Sequence, residues 1–237
     1  MIEATAVTWN LHGFVGADGR RDVSRTARVL GVLGADVLGL QEVDCRGAEG
    51  TGETRLALLA EATGMHATFG PTLAHEDGGY GNALLTRWPV TSVTRHDVSV
   101  EGGEPRGVLC ADVRPDGAPV RLIVTHFGLR MKERRRQLAA LLALIEAAPG
   151  APLLLMGDFN EWQPRSPLVG ALDRALGRAA HVRTFPARFP VLALDRIWVR
   201  APARLLAIER CAGAGARHAS DHLPVRARLA LPGGARG

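Results

Sequence analysis

Short apolar segments that stop at a polar side chain recur along the whole chain, and they constrain its fold more than any other feature. Residues 153–156 (LLLM), for example, lead through Gly157 to Asp158 and Asn160. A run of this length, bounded by glycine and turn-forming residues, is typical of a buried strand. Asp158 and Asn160 are two positions apart, so a continuing strand would place both on one face. Phe159 then points the other way, and we expect it to anchor the turn in the core.

Strand-like and helix-like segments together predict an α/β fold. Apolar residues at helical spacing predict helices over 22–33, 53–64, 132–148 and 166–176, with Ser166 as the N-cap of the last. Strand patterns cover residues 4–10, 35–44, 80–90, 106–114, 118–128, 152–160, 193–199, 204–211 and 224–231. The turn at 114–119 predicts a hairpin. No linker interrupts these elements, so we predict one α/β domain over residues 1–237 with mixed sheets and a flexible tail at 231–237.

Charge and cysteine content narrow the class of protein. The net charge is +5, carried almost wholly by arginine, and Lys132 is the only lysine. A basic surface attracts phosphate-bearing partners, although the scattered arginines fit a compositional bias equally well. Cys45, Cys110 and Cys211 match neither a disulfide framework nor a zinc site. With no secretory leader pattern and no apolar run of about 18 residues, we expect a cytoplasmic protein without stable membrane insertion.

Polar side chains collect at the ends of the predicted strands. Taken singly, each has a structural explanation: Glu42 could be a solvated strand end, Asn10 could hold a turn, and His222 could be a core histidine. A half-buried carboxylate is costly unless it is paired or binds a metal, so many such residues at similar positions indicate one shared site. The residues at these strand ends are Asn10, Glu42, His126, Asp158, Asn160, Asp195, Asp221 and His222.

The chemistry of this set favours metal-assisted hydrolysis. Four carboxylates with amides and histidines, and no cysteine ligand, suit Mg²⁺, with Mn²⁺ as an alternative. Magnesium takes only one or two protein carboxylates and leaves positions for substrate phosphate. The remaining carboxylates then serve acid and base catalysis, and a histidine held by an aspartate takes a proton. We therefore expect attack of water on a phosphorus ester.

Eight segments in a fixed order resemble the endonuclease/exonuclease/phosphatase superfamily. They are TWNLHG, LQEVD, YGNALLTRWPV, PRGVLCADV, VTHFGL, LMGDFNEW, LDRIWV and SDHLPV, and they span almost the whole chain. The ordered set is highly specific, above all GDFN followed much later by SDH. The resemblance implies a four-layer α/β sandwich, with two mixed sheets face to face and helices outside. It also implies a divalent-metal phosphoesterase site at one edge.

The resemblance assigns roles by position in this chain. Glu42 would be the principal metal ligand, helped by Asn10 and Asp221, although a structural role for Asp221 stays open. His222 would lie near the scissile phosphate, as a base or as an imidazolium that stabilises charge, with Asp195 orienting it. The remaining roles concern the water and the phosphate: Asp158 would position or deprotonate the attacking water, Asn160 would hydrogen-bond a phosphate oxygen, and Arg106 and His126 would lie on the phosphate side.

The substrate is less constrained than the reaction. A nucleic acid and a lipid or small-molecule phosphodiester are about equally supported, because aromatic residues are few and the basic run at residues 130–137 is more typical of a solvated helix face. Thr184, Phe185 and Phe189 could line the substrate edge, but packing of their loop onto the core is the simpler interpretation. A different class of protein, a non-catalytic phosphate-binding or nucleic-acid-binding module on the same fold, is the alternative. A monomer is favoured.

Overall fold

The structure is a computed structural model that describes residues 1–47, 53–75, 78–163 and 165–234. Residues 235–237 of the expected flexible tail lie outside the described residues. In chain order the described elements are β1 (Ile2–Asn10), α1 (Val23–Val32), β2 (Val37–Asp44), α2 (Glu53–Thr63), β3 (His66–His75), β4 (Gly78–Thr86), β5 (Val90–Asp97), β6 (Gly107–Val113), β7 (Val120–His126), α3 (Met131–Glu146), β8 (Leu153–Asp158), α4 (Pro167–Leu176), β9 (Asp195–Arg200), β10 (Arg204–Arg210), α5 (Ala216–Ala219) and β11 (Val225–Leu231).

The strands form two mixed sheets, as predicted. One has the order β10-β11-β1-β2-β4-β3 and the other the order β5-β6-β7-β8-β9. Within each sheet one central pair is parallel, β1 with β2 and β7 with β8, and the other printed pairings are antiparallel. Helices α1 and α3 make the two crossovers that parallel neighbours require. The predicted hairpin is confirmed as β6 and β7.

Three apolar cores separate four layers. The middle core joins the two sheets, with Ala6 and Ala227 from one and Leu122 and Met156 from the other. A second core packs α1 and α2 against the first sheet, and a third packs α3 and α4 against the second. The four-layer sandwich is therefore confirmed. Because both sheets are covered on both faces, most strands carry near-continuous apolar runs.

Strands β3 and β5 and the short helix α5 are absent from the sequence prediction. Both strands lie at sheet edges. Residues 66–75 include a glycine and a proline, and residues of β5 are mostly exposed or half-buried, so neither segment has the apolar run that marks a central strand. Prediction succeeded for α4, where the Ser166 side chain accepts a hydrogen bond from the Val169 backbone N–H at 3.2 Å and Pro167 occupies the first turn.

The basic run at residues 130–137 is largely the solvated face that its charge pattern predicted, because Arg130, Lys132, Arg135 and Arg136 are exposed, but three of its residues point inward. Glu133, Arg134 and Gln137 are buried on α3. The Arg134 guanidinium donates to the Leu129 carbonyl oxygen and lies over the Trp162 ring. The alternation of charged residues along the sequence therefore did not indicate which face of this helix is buried. Among the described residues, no helix is both long and apolar enough to cross a membrane.

Candidate active site

The two parallel strand pairs bring the predicted residues to one edge of the sandwich. In the first sheet Asn10 ends β1 in register with Gln41 of β2, next to Glu42. In the second sheet His126 ends β7 in register with Asp158 at the end of β8. The antiparallel strand β9 begins opposite Asp158, so its first residue, Asp195, lies at the same edge. Functional side chains commonly gather where the carboxyl ends of parallel strands meet.

Glu42 and Asn10 form the side of the site that belongs to the first sheet. The Asn10 amide Nδ2 donates to Glu42 Oε1 at 2.9 Å and to Asp158 Oδ2 at 3.1 Å, and so it links the two sheets. Glu42 has a φ of +54°, at a break in the pairing of β2 with β4. A positive φ at a non-glycine residue costs about 1–3 kcal/mol and persists only where surrounding contacts hold it. The break turns the Glu42 carboxylate toward the site.

Asp158 lies at the centre of the buried polar cluster. Its Oδ2 is 3.6 Å from His126 Nε2 and 3.7 Å from His222 Nε2, and its Oδ1 accepts the Asn160 backbone N–H at 2.9 Å. The Asn160 amide Nδ2 donates to the Phe127 carbonyl oxygen at 2.8 Å and contacts His126 Nε2 at 3.1 Å. Burial lowers the pKa of His126 to about 3, so its ring is neutral at physiological pH and Nε2 can accept from Asn160.

Asp195 and His222 form a hydrogen-bonded pair. His222 Nδ1 lies 2.9 Å from Asp195 Oδ2, and the Thr184 hydroxyl donates to the same oxygen. Burial opposes a charge on His222, but the Asp195 and Asp158 carboxylates outweigh it and raise the pKa of His222 to about 10. The imidazole is therefore protonated near neutral pH, with Nε2 directed toward Asp158. This charge state favours the charge-stabilising role over the basic one.

Asp221 and Arg106 flank this buried cluster. The Asp221 side chain is 40% exposed, and its Oδ1 lies 3.7 Å from His12 Nδ1. Arg106 is buried just before β6, where its Nη2 donates to Glu104 Oε2 at 2.8 Å while its Nε has no partner. Two cavities, of about 280 and 140 Å³, are both lined by Arg106. A buried guanidinium with a free donor beside open space is suited to receive an anionic group.

The charge balance of the edge fits a cation. Among the described residues, no arginine or lysine lies within ion-pair distance of Glu42, Asp158, Asp195 or Asp221, and the three aspartates have only histidines within that distance. Oxygen donors at one edge that no arginine or lysine neutralises suit a hard divalent ion. Ligand atoms of Asp158, Asp195 and His222 lie within 4.8 Å of one another. Within that trio His222 Nδ1 and Asp195 Oδ2 are paired, whereas Asp195 Oδ1 is buried without a hydrogen-bond partner.

The expectation that the strand period aligns Asp158 and Asn160 needs correction. Strand β8 ends at Asp158, and Asn160 has a φ of +49°, so a turn, not the strand period, brings both side chains into the site. A Cβ on Gly157 would lie 2.1 Å from the Thr125 carbonyl oxygen, so close packing against β7 explains this glycine. Phe159 does anchor the turn, with its ring 5.1 Å from that of Phe127 and 4.8 Å from that of Trp198.

Sequence reasoning missed three residues that support the site. Tyr80 hydrogen-bonds to Glu42, and burial together with the Glu42 and Glu104 carboxylates raises the pKa of Tyr80. The Ser220 hydroxyl donates to the Asn10 carbonyl oxygen at 2.7 Å and accepts the His222 backbone N–H at 3.1 Å. For Tyr80, its status as the only tyrosine of the chain and its place in the segment YGNALL were the available signals. For Ser220 the available signal was its place in the segment SDHLPV.

The third is Thr184, which was assigned to loop packing or to a substrate edge. It is buried, and its hydroxyl binds Asp195 instead. The neighbouring Phe185 ring lies 4.8 Å from the His222 ring, whereas Phe189 is 80% exposed. The loop therefore buttresses the His222–Asp195 pair at one end and presents an apolar side chain to solvent at the other.

Comparison with known proteins agrees with this architecture. Residues 7–222 match the model of the Endonuclease/Exonuclease/phosphatase family. YbhP of Escherichia coli (strain K12), whose own function is uncharacterized, is 36% identical over 244 residues, with 95% of each chain covered. An endonuclease/exonuclease/phosphatase from Beutenbergia cavernae is 26% identical with a TM-score of 0.76, over 98% of this chain and 72% of that one.

More distant structures share the fold. The mannosyl-6-phosphatase Bt3783 of Bacteroides thetaiotaomicron is 17% identical with a TM-score of 0.77, over 96% of this chain and all of that one. The TDP2 protein of D. rerio, in complex with a single-strand DNA product, is 20% identical with a TM-score of 0.73, over 97% of this chain and 99% of that one. From the match over nearly its whole length, this chain belongs to the endonuclease/exonuclease/phosphatase family, whose members hydrolyse phosphate esters.

Proposed function

We propose that the protein is a Mg²⁺-dependent phosphoesterase that hydrolyses a phosphodiester by in-line attack of water. The observation that carries the proposal is the buried pair of Asp195 and His222 facing Asp158, beside carboxylates that no arginine or lysine of the described part of the chain neutralises. Glu42, Asn10 and Asp221 would hold the metal, with Mn²⁺ as the alternative ion. When bound, the ion polarises a phosphoryl oxygen and offsets the charge that develops on it.

Side chains of the protein would carry out the other steps of the reaction. Asp158 is positioned to orient the attacking water and to take its proton, since its Oδ2 faces the site while its Oδ1 is held by the Asn160 backbone. The protonated His222 stabilises negative charge on the phosphoryl group, and Asp195 holds its ring in place. Asn160 can donate to a phosphate oxygen by exchanging its contact with the neutral His126. Arg106, which lines two cavities, can bind a phosphate oxygen through its guanidinium.

The choice of substrate lies between a nucleic acid and a lipid or small-molecule phosphodiester. The mannosyl-6-phosphatase and the DNA-bound TDP2 share this fold, so phosphomonoesters and nucleic acids both belong in a substrate panel. A steep fall in affinity with salt would identify a nucleic-acid backbone, because counterion release sets that slope. A cytoplasmic location, a monomeric state and a single domain over residues 1–237 remain predictions.

A substrate panel tests this function. Purified protein with Mg²⁺ should turn over at least one of DNA, RNA, sphingomyelin and small phosphodiesters, and EDTA should abolish the activity. The His222→Ala variant should lose on the order of 10² or more in rate. The Arg174→Ala variant, which changes an exposed residue of α4 outside this edge, is the matched control. Binding of Mg²⁺ and nucleic acid without hydrolysis by the wild type would instead support the non-catalytic module.

A further inference from the structure

A cavity of about 290 Å³ lies behind the candidate active site, between α4 and residues 178–181. We name it the α4 cavity; its polar lining consists of Arg165, Asp173, Arg178, His181 and Arg196. Arg196 directly follows Asp195 on β9, and successive side chains of a strand point to opposite faces. The α4 cavity is therefore separated from His222 by the thickness of the sheet.

The lining of the α4 cavity is strongly cationic. Three arginines and a histidine face a single carboxylate, and Asp173 Oδ1 is already engaged by Trp198 Nε1 at 2.8 Å and by the Ala179 backbone N–H at 3.1 Å. Within the described part of the chain, no acidic side chain lies within ion-pair distance of Arg165, Arg178 or Arg196. With one carboxylate against three arginines, the lining carries an excess of positive charge, and like charges gathered at one cavity repel one another.

Arg196 is the most unusual member of this lining. Its side chain is 2% exposed, its Nη2 donates to the Glu161 carbonyl oxygen at 2.9 Å, and its Nε has no partner. A guanidinium carries five N–H donors in a planar fork, and a buried one left unsatisfied is costly. The same planar fork matches the oxygens of a phosphate or a carboxylate. Burial, together with the nearby Arg196 and Arg183, lowers the pKa of His181.

We propose that the α4 cavity binds phosphate or a phosphate-bearing small molecule, at a site separate from the catalytic residues. A bound oxyanion would satisfy Arg196 and neutralise the repulsion among Arg165, Arg178 and His181. The volume, at the lower end of the range for small-molecule pockets, admits a phosphate with at most a small organic group. Arg196 adjoins Asp195 and binds the carbonyl of Glu161, next to Asn160, so an occupied cavity contacts two segments that shape the active site.

Phosphate titration of the metal-free protein tests the proposal without requiring turnover. With EDTA present, inorganic phosphate should shift the imidazole NMR signals of His181 saturably. The pKa of His181 should be higher in phosphate than in chloride at equal ionic strength, because an added anion favours the charged ring. Methylphosphonate is the second probe. If it binds more tightly than phosphate, the ligand is a phosphate group carried on a small organic molecule. If phosphate binds more tightly, the ligand is the free anion.

Single substitutions locate the bound anion. Arg178→Ala and Arg165→Ala should each weaken phosphate binding by roughly tenfold, the effect of one charged hydrogen bond. Arg174→Ala, which lies on α4 but outside the lining of the cavity, should bind phosphate as the wild type does. Arg196→Lys should bind phosphate more weakly than the wild type. If that buried variant does not fold, the variants at the exposed positions Arg165 and Arg178 still decide the test.

Three results would overturn the proposal. They are no saturable shift of His181 at tens of millimolar phosphate, shifts confined to His126 and His222, and equal weakening by Arg174→Ala and Arg178→Ala. Because binding is measured without metal or turnover, a failure here leaves the proposed hydrolase activity intact. Conversely, a protein without hydrolase activity could still show the predicted binding.

Discussion

Replacing Asp195 with asparagine should neutralise the group that keeps His222 charged. The amide oxygen can still accept the His222 Nδ1–H, so the change removes charge while it keeps the hydrogen bond. In the wild type the pKa of His222 rises from 6.5 to about 10 against the opposing effect of burial. At about 1.4 kcal/mol for each tenfold change, that rise corresponds to about 5 kcal/mol in favour of the charged ring. Without the Asp195 charge, burial acts against Asp158 and Asp221 alone, and the pKa should fall toward 6.5.

The pKa can be read directly from the imidazole NMR signals of His222 in the metal-free protein. The wild-type ring should remain protonated at pH 8, and the Asp195→Asn ring should be mostly neutral there. Stability should follow the same linkage. A raised histidine pKa stabilises the fold fully below pH 6.5, and that stabilisation disappears as the pH rises through about 10. The difference in unfolding free energy between wild type and Asp195→Asn should thus be larger at pH 6 than above pH 10.

Thr184→Val is the matched control, because it removes the other partner of the same Asp195 oxygen but keeps the carboxylate charge. His222 should remain protonated at pH 8 in this variant. The reasoning fails if His222 titrates near 6.5 in the wild type, or if Asp195→Asn leaves its titration unchanged. It also fails if Thr184→Val lowers the pKa of His222 as much as Asp195→Asn does.

Three further substitutions test other parts of the structure. Tyr80→Phe removes the hydrogen bond that positions Glu42, so calorimetry should show Mg²⁺ affinity reduced by about tenfold, and unchanged affinity would argue against this positioning role. His126→Gln should flatten the loss of stability between pH 6.5 and 4, since a buried histidine with a pKa of about 3 favours the unfolded state as the pH falls; urea unfolding at each pH checks this. Phe159→Ala should cost about 3–5 kcal/mol in urea unfolding, and a cost below 1 kcal/mol would contradict its buried contacts.

The sequence predicted the central strands and the residues at their ends because both depend on local pattern. The apolar runs before Asn10, His126 and Asp158 are visible in the chain, and a strand that stops at a polar residue presents it at a sheet edge. Arg106 does not follow an apolar run, so only the resemblance to a family identified it as a candidate site residue. The edge strands β3 and β5 escaped prediction because they lack a buried apolar run.

Contacts between distant segments could not be predicted from local pattern. The Asn10 amide reaches both Glu42 and Asp158 only because the two sheets face each other, and the Thr184 hydroxyl reaches Asp195 only after its loop folds back. The positive φ of Glu42 depends on the break in the pairing of β2 with β4, and a glutamate at this position does not indicate such a break. The α4 cavity likewise combines residues from α4, β9 and the loop between them.

Metal titration of the hydrolysis rate tests the central claim most directly, namely that the strand ends of the two sheets form one divalent-metal phosphoesterase site. The initial rate on a chromogenic bis-phosphodiester should rise saturably with Mg²⁺ in the wild type and vanish with EDTA. Glu42→Gln should need at least about tenfold more Mg²⁺ for its half-maximal rate, whereas Arg174→Ala should match the wild type. A hydrolysis rate that EDTA does not change would contradict the account. So would a Mg²⁺ titration curve of Glu42→Gln that coincides with that of the wild type.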